Sequence, residues 1–376
     1  MFVDFVLNGQ ASGMVAERMQ DCRFDPGLLR PYIDSRGQRC VTISNGRGGY
    51  EKRTVAEMLS NGIHSPVFNA TTLRKDEWIQ LDSVVLSAAR QRLRAWSDLS
   101  AANSYGGFNG MSKTLLEHET MSDPGEAIVD MDGLTEGRTD APKYQLEGLP
   151  LPITHSDFWF SSRRLAASRQ TGTPLDTTMA ATAGRRVAET IEQTLIGTVT
   201  GMTYGNATTN GYGRTPTVYG YTNFPARNTK TDLTTPTGSN PDAIVQDVLE
   251  MRDQLYDDNF FGPFMLYHST DYDIYLDNDY FRTGGTSVLQ TVRQRIQAID
   301  GIAGVRRLDY LTSGYVMIMV QMTQDVARAV NGMDITTVQW ESVGGMRLNF
   351  KVMAIQVPQL RADFDGRCGI LHATTS

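Results

Sequence analysis

The side chains that most often carry catalysis or bind metals are sparse in this chain of 376 residues. Its five histidines lie singly, with neither an HExxH nor a His-x-His pattern among them. A metal site built within one helix or strand needs such closely spaced ligands, so the sequence predicts no metal site. The three cysteines, Cys22, Cys40 and Cys368, form no CxxC pair, and we interpret them as reduced thiols in a cytosolic setting.

Two short segments resemble ligand-binding loops without meeting the requirements of those loops. The segment DYDIYLDND, around Asp273, lacks the central Gly and the terminal Glu of a calcium loop, so we interpret it as a solvated helix face. In GGFNGMSKT, Lys113 does not directly follow a Gly, as a phosphate-binding loop requires. Because the chain also has no GxSxG motif, we predict no catalytic residues, no cofactor and no enzymatic activity.

The overall charge and hydropathy narrow the classes of partner. The formal net charge is -7 and the pI is near 5.3, which argues against a function whose affinity comes from neutralising phosphates. The first residues, MFVDFVLNG, lack the basic region of a signal peptide, and no apolar stretch reaches the length of a membrane span. We therefore expect neither export by a signal peptide nor a membrane partner.

A long polar segment lies in the middle of the chain. From Met111 to Lys143 apolar residues occur only in ones to threes, and such a segment cannot bury a core of its own. It is followed at once by a predicted strand over Ser156 to Phe160 and by a predicted helix from about Leu175 to Ile196, with Pro174 at its first position. We interpret the polar segment as an arm that rests on another subunit.

The remaining pattern predicts a mixed α+β chain. One amphipathic helix is predicted to follow Thr72, with an apolar face that includes Trp78, Val85 and Trp96. Further helices are predicted to start at Pro241 and to span Val288 to Ala298. Strands are predicted at Phe264 to Tyr267, Val305 to Leu308, Tyr315 to Gln321, Thr336 to Ser342, Met346 to Pro358 and Cys368 to His372.

The order of these elements from Thr71 to Ser376 resembles the Hong Kong 97-type fold of tailed-phage major capsid proteins and of the related encapsulins. The resemblance is carried by TTLRKDEWIQLDSVVLSAARQRL, LPLPITHSDFWFSSRRL, TPLDTTMAATAGRRVAETIEQTLIGT, VYGYTNFP, GPFMLYHSTDYDIYL, VQWESVGGMRLNFKVMAIQVPQL and CGILHAT. The spine helix of the fold corresponds to the predicted helix that ends at Ile196. The first 70 residues have no counterpart in most encapsulins.

The resemblance implies a division of the chain into the parts of that fold. These are an N-terminal arm (1–71), an N-terminal helix region (72–104), an extended loop (105–151), a peripheral domain with the spine helix (152–240), an axial domain (241–330) and the C-terminal strands of the peripheral domain (331–376).

The function implied by the resemblance is that of a major capsid protein. Such a protein self-assembles through hexamers and pentamers into the icosahedral shell of a virion, in the cytoplasm of the bacterial host. The shell would enclose double-stranded DNA without sequence-specific binding, with scaffolding, portal and cement or decoration proteins as further partners. We expect no maturation cleavage of this chain. An encapsulin-like compartment holding cargo enzyme is the alternative, and a soluble enzyme acting as a small oligomer is a third interpretation.

Eight residues are predicted to contribute to assembly. Three aromatic residues lie where the extended loop rejoins the body, and we expect one ring to anchor the loop base and another to face inward, unless all three belong to the core. The full set is Trp78, Phe158, Trp159, Phe160, Arg163, Arg164, Arg185 and Arg186.

Overall fold

The computed structural model describes most of the chain after residue 72. It also describes three short segments before that residue. The described residues are 32–33, 38–44, 50–54, 73, 75–122, 129, 131–132, 141–171, 177–199, 203, 216–281, 287–311, 314–343 and 345–375. Within the arm they form a three-stranded antiparallel sheet of β1 (Tyr32–Ile33), β2 (Arg39–Ser44) and β3 (Tyr50–Thr54). Cys22, Thr72 and the predicted start of the spine helix at Thr173 and Pro174 lie outside the described residues.

Two helices occupy the N-terminal helix region, where the sequence predicts one. Helix α1 (Lys75–Arg90) ends before a turn, and α2 (Ala95–Ala102) carries Trp96 on a separate axis. The prediction of a single helix reaching Trp96 is therefore wrong. Both helices still bury the predicted apolar residues, because Trp78, Val85 and Trp96 lie in one core cluster.

Strand β4 (Ser104–Tyr105) is followed by an antiparallel hairpin of β5 (Leu115–Met121) and β6 (Tyr144–Pro150). Strand β7 (Thr154–Ser161) then leads into α3 (Ser162–Thr171) and into the spine helix α4 (Thr178–Ile196). The spine helix ends as predicted, because Gly197 adopts a left-handed conformation at φ 100° and its N–H closes the last turn on the Gln193 carbonyl.

A four-stranded sheet supports the spine helix. Its two long strands are β14 (Ala327–Ser342) and β15 (Arg347–Leu360), and the strand order is β4-β14-β15-β7. Strand β15 pairs antiparallel with both β14 and β7, whereas β4 runs parallel to β14. Alternate residues of β7 and β15 face α1 and α4, so Phe158, Phe160 and Phe350 fill the space between sheet and helices.

A five-stranded sheet forms the second half of the body. Its strands are β8 (Asn228–Lys230), β9 (Phe264–His268), β12 (Ile302–Arg307), β13 (Val316–Gln321) and β16 (Ile370–Thr374). Their order in the sheet is β12-β9-β13-β16-β8. Helix α5 (Pro241–Asp257) starts at Pro241 as predicted. The short helix α6 (Asp273–Leu276), the strand pair β10 (Asp279–Phe281) and β11 (Ser287–Thr291), and helix α7 (Val292–Gln297) follow β9.

One detail of this half differs from the sequence prediction. Val288 to Ala298 is not one helix, because a strand precedes α7 and the Thr291 side chain caps the helix by accepting from the Gln294 N–H. The last strand, β16, pairs with β13, so the end of the chain joins the five-stranded sheet.

Apolar side chains form one core on each side of the five-stranded sheet. The larger core lies between this sheet, the four-stranded sheet and helices α1, α2 and α4. The second lies under α5 and α7. Among the helices of the described part of the chain, none is long and apolar enough to cross a bilayer.

Candidate assembly surface

The base of the β5–β6 hairpin is held by its own subunit. Leu149 and Leu151 are buried against Val330, Ile355 and Val357, three residues of the long strands β14 and β15. The preceding turn is fixed by the Gly110 N–H, which donates to the Gly332 carbonyl at 3.0 Å. A Cβ on Gly110 would lie 2.8 Å from the Gly332 Cα, so this approach requires glycine.

The far end of the same hairpin presents apolar side chains to solvent. Met121 and Tyr144 form the last pair of its ladder, and they are 54% and 62% exposed. Leu146 on β6 is exposed as well, and so are Val129 and Met131 in the segment that connects the two strands. Apolar side chains gathered at the end of a projecting hairpin are typical of a surface that another protein covers.

Strand β7 places the three predicted aromatic rings on opposite faces of the sheet. Phe158 and Phe160 are 4% and 6% exposed, and Phe158 stacks on Phe350 with ring centroids 5.1 Å apart. Trp159 points the other way and is 52% exposed. Two rings therefore belong to the subunit's own core, and only the Trp159 ring is available to a neighbouring molecule.

Trp159 belongs to a set of residues that we call the outer sheet face, which faces away from the spine helix. Asn349 pairs with Trp159 on one side and with Trp340 on the other. The Arg347 guanidinium lies 4.3 Å from the Trp159 ring centroid, and the Lys351 ammonium lies 5.9 Å from that of Trp340. The outer sheet face thus combines two indole rings with two cations.

The other predicted assembly residues are divided between core and surface. Trp78 is buried, with its ring centroid 6.4 Å from that of Phe350. Arg163 and Arg164 on α3 and Arg185 and Arg186 on the spine helix are exposed. The roles of these residues in subunit contacts stay predictions.

A buried polar junction, which the sequence analysis missed, connects the spine helix to α2. The Glu192 carboxylate accepts hydrogen bonds from the N–H groups of Ala95 at 2.6 Å and Trp96 at 3.0 Å. It thereby satisfies free donors at the start of α2. Burial raises the pKa of Glu192 from 4.5 to about 7, against the lowering effect of these hydrogen bonds. In the sequence, the only indication of this junction is that the carboxylate of Glu192 follows the apolar residue Ile191.

Aspartates of the segment DYDIYLDND form ion pairs with arginines. Asp273 forms ion pairs with Arg293 at 3.0 Å and with Arg307 at 2.7 Å, and hydrogen bonds to Arg307 and Arg293 lower its pKa against the effect of burial. Within the described ranges, no three His, Cys, Asp or Glu side chains are grouped as metal ligands would be.

Comparison with known proteins agrees with this description of the body. Over 241 residues the chain is 27% identical to the type 1 encapsulin shell protein EncA of Myxococcus xanthus, a match that covers 63% of this chain and 74% of that protein. The structure is similar to a virus-like particle from Pyrococcus furiosus, with a TM-score of 0.50, 15% identity and coverage of 78% and 97% of the two chains.

Capsid structures give similar values. The capsid of Myoviridae phage XM1 has a TM-score of 0.51 and 10% identity, with 74% of this chain and 92% of that chain covered. These similarities confirm the predicted Hong Kong 97-type fold, related to that of the encapsulins. The family described as "Family of unknown function (DUF6260)" matches residues 69–373. The chain is therefore a member of the DUF6260 family, and its fold is that of Hong Kong 97-type capsid proteins.

Proposed function

We propose that the chain is a major capsid protein, which assembles through hexamers and pentamers into the icosahedral shell around the double-stranded DNA genome of a tailed phage. The fold supports this proposal because the similar structures are capsids and a virus-like particle. The single observation that carries it is the β5–β6 hairpin, whose base packs on its own subunit while Met121, Tyr144 and Leu146 face solvent at its far end.

In this proposal the hairpin of one copy lies on the outer sheet face of a neighbour. The segment from Met111 to Lys143 carries eight acidic and three basic residues, whereas the outer sheet face carries Arg347, and Lys351 with its ion-pair partner Asp157, beside two indole rings. Apolar side chains at the hairpin end would cover the rings, and the opposite charges would fix the register. Obligate interfaces commonly bury about 2,000 Å² or more, and many small overlaps around a shell reach that area together.

The domain division predicted from the resemblance is part of the proposal. The family match supports a boundary near residue 71, since it begins at residue 69. We place the N-terminal arm (1–71) and the extended loop (105–151) on neighbouring subunits, around the rigid body of spine helix and sheets. Scaffolding, portal and cement proteins would complete the virion, and assembly would occur in the bacterial cytoplasm.

A second candidate function is the shell of an encapsulin-like compartment that holds cargo enzyme. It is favoured by the 27% identity to a type 1 encapsulin shell protein. Both functions share the assembled shell and differ in what the shell contains.

Negative-stain electron microscopy of the purified full-length chain tests the shared part, and closed particles of uniform size are expected. If only small oligomers form at every concentration and salt condition tried, the shell function is wrong. Particles recovered from the bacterium that naturally produces the chain then distinguish the two contents. Nuclease-resistant double-stranded DNA supports the capsid protein, and a stoichiometric enzyme without DNA supports the compartment.

A further inference from the structure

Arginines from separate elements meet beside the spine helix. Arg92, in the turn after α1, and Arg185, on α4, each place Nε 3.7 Å from the same Glu189 carboxylate oxygen. The Tyr310 hydroxyl also donates to Glu189, and burial together with this hydrogen bond raises the pKa of Tyr310 to about 12. Glu189 therefore fixes two guanidinium groups side by side at the boundary between the two halves of the body.

The same arrangement continues onto the five-stranded sheet. Arg94 and Arg307 share the Asp309 carboxylate, at 3.7 Å and 3.0 Å. Arg306 forms an ion pair of 2.8 Å with Asp98, which lies one turn after Arg94. We call these five residues the arginine surface, and its members are Arg92, Arg94, Arg185, Arg306 and Arg307.

The cations of the arginine surface lie further out than the carboxylates that hold them. The five arginine side chains are 39% to 55% exposed, whereas those of Glu189, Asp98, Asp309 and Asp273 are 11% to 31% exposed. Arg90, in the last turn of α1, and Arg186, one residue after Arg185, are exposed as well. The five guanidinium groups of the arginine surface thus stand against four carboxylates, in a chain whose net charge is -7.

A purely structural role for these ion pairs explains less of the arrangement. Surface ion pairs contribute little to stability, and stability alone gives no reason for an excess of cations. The planar guanidinium of arginine binds phosphate oxygens in a bidentate manner that lysine cannot reproduce. Double-stranded DNA presents one negative charge per ~1.7 Å of its axis, so a surface of this kind meets several phosphates at once.

We propose that the arginine surface binds the phosphate backbone of double-stranded DNA without reading its sequence. This inference rests on the proposed capsid function for its biological setting, and it adds a defined site of contact with the enclosed polymer. The carboxylates beneath the arginines keep the contact weak, because they compete with the phosphates for the same guanidinium groups. A weak and salt-sensitive contact lets packed DNA move along the wall.

Binding can be measured on the unassembled full-length chain, isolated by size exclusion, with a fluorescent 30-base-pair duplex of mixed sequence and anisotropy as the readout. The test variant is Arg92→Gln/Arg185→Gln. The matched control is Arg252→Gln/Arg367→Gln, which removes the same charge from ion pairs outside the arginine surface.

We expect the wild type and the control to bind with log affinity falling linearly against log salt. The test variant should bind roughly tenfold or more weakly at low salt, with a slope smaller by about 2. Equal losses in both variants, or no binding by the wild type at 50 mM salt, would overturn the proposal.

A measurement without substitutions covers the case in which the test variant misfolds. Phenylglyoxal modifies accessible arginines, and mass spectrometry reports each site. The duplex should protect Arg92, Arg94 and Arg185 but not Arg252 or Arg367, and uniform or absent protection contradicts the inference. Electron microscopy of the same preparation scores shell formation separately, so DNA binding and the proposed capsid function can fail independently.

Discussion

A buried carboxylate at the junction of two helices makes this body sensitive to pH. Glu192 accepts from the Ala95 and Trp96 N–H groups, and the Asp98 carboxylate and the buried Tyr221 lie in the same neighbourhood. Desolvation is the largest cause of its raised pKa, so the protonated form is favoured on folding. Between pH 4.5 and 7 the folded chain therefore holds a proton that the unfolded chain has released.

Because the folded chain holds this proton, its free energy of unfolding decreases as the pH rises. The stability that Glu192 contributes is complete below about pH 4.5 and is lost as the pH rises through about 7. The loss amounts to about 3 kcal/mol. The variant Glu192→Gln cannot ionise. Between pH 4.5 and pH 8 the free energy of unfolding of the wild type should therefore fall by about 3 kcal/mol relative to that of the variant, as measured by urea unfolding. A difference between variant and wild type that is the same at both pH values would contradict the assignment.

Adjacent residues of β7 allow packing and assembly to be separated. We expect Phe158→Ala to lower the free energy of unfolding by about 3–5 kcal/mol, because its ring is stacked in the core. Trp159→Ala should cost at most about 1 kcal/mol, the value of an exposed cation–π contact, and yet reduce the fraction of chain in closed particles. Thermal unfolding and size exclusion measure the two effects. Normal particle yield from Trp159→Ala would exclude the outer sheet face from assembly.

At the scale of elements, the contact between α1 and the spine helix depends on one glycine. A Cβ on Gly184 would lie 2.7 Å from the Val85 carbonyl oxygen, a backbone atom that cannot rotate away. Ala180 and Ala188 are also buried on α4, and their small side chains suit close packing on either side of Gly184. The two helices therefore pack as one unit, on which the four-stranded sheet rests.

We expect Gly184→Ala to lower the free energy of unfolding by up to about 2 kcal/mol. Overpacking costs about 1–3 kcal/mol and outweighs the gain in helix propensity, which is about 1 kcal/mol. Gly238→Ala is the matched control, because nothing lies within 4 Å of its added Cβ. Chemical unfolding of both variants makes the comparison, and equal stabilities would show that the helices can separate at no cost.

The β5–β6 hairpin is the element whose exposed end we assign to assembly. Met121→Ser/Tyr144→Ser/Leu146→Ser removes its apolar side chains without touching the buried base. We expect unchanged unfolding of the subunit and a loss of closed particles in electron microscopy. Gln145→Ser, a change of an exposed polar residue on the same strand, should assemble as the wild type does. Particle formation by the triple variant would show that another surface joins the subunits.

At the scale of the whole molecule, the body and the N-terminal arm are expected to be separable. Within the described part of the chain, the residues of the two main cores run from Leu73 onward. A chain lacking residues 1–70 should therefore fold with near-wild-type thermal stability but assemble poorly, because the arm would lie on neighbouring subunits. Circular dichroism and particle counts check the two parts of this prediction. Wild-type shell yield from the shortened chain would contradict the role of the arm.

The molecule as a whole also shows why net charge is a limited guide. A charge of -7 predicts repulsion of nucleic acid, yet it is an average over the entire chain. Tertiary structure brings together arginines that are distant in sequence, such as Arg92, Arg185 and Arg307, and sets their partner carboxylates deeper. The local field of such a surface can oppose the net charge.

Local sequence signals predicted the mixed α+β class and most of the helices and strands. They located the spine helix and its end at Gly197, the strand predicted at Phe264 to Tyr267 and observed as Phe264–His268, and the helix that starts at Pro241. The lack of a self-contained core in the segment after Met111 predicts an arm that rests on another subunit. The break between α1 and α2 and the strand before α7 were missed, since apolar spacing alone does not separate two short elements from one helix.

Features that depend on contacts between distant parts of the chain became visible in the folded structure. It separated Trp159 from the flanking phenylalanines, because the direction of each ring depends on which face of β7 meets the spine helix. It placed strand β16 beside β13, a pairing set by long-range register. It also revealed the Glu192 junction and the arginine surface, whose members are distant in the sequence and are brought together by packing of helices and sheets.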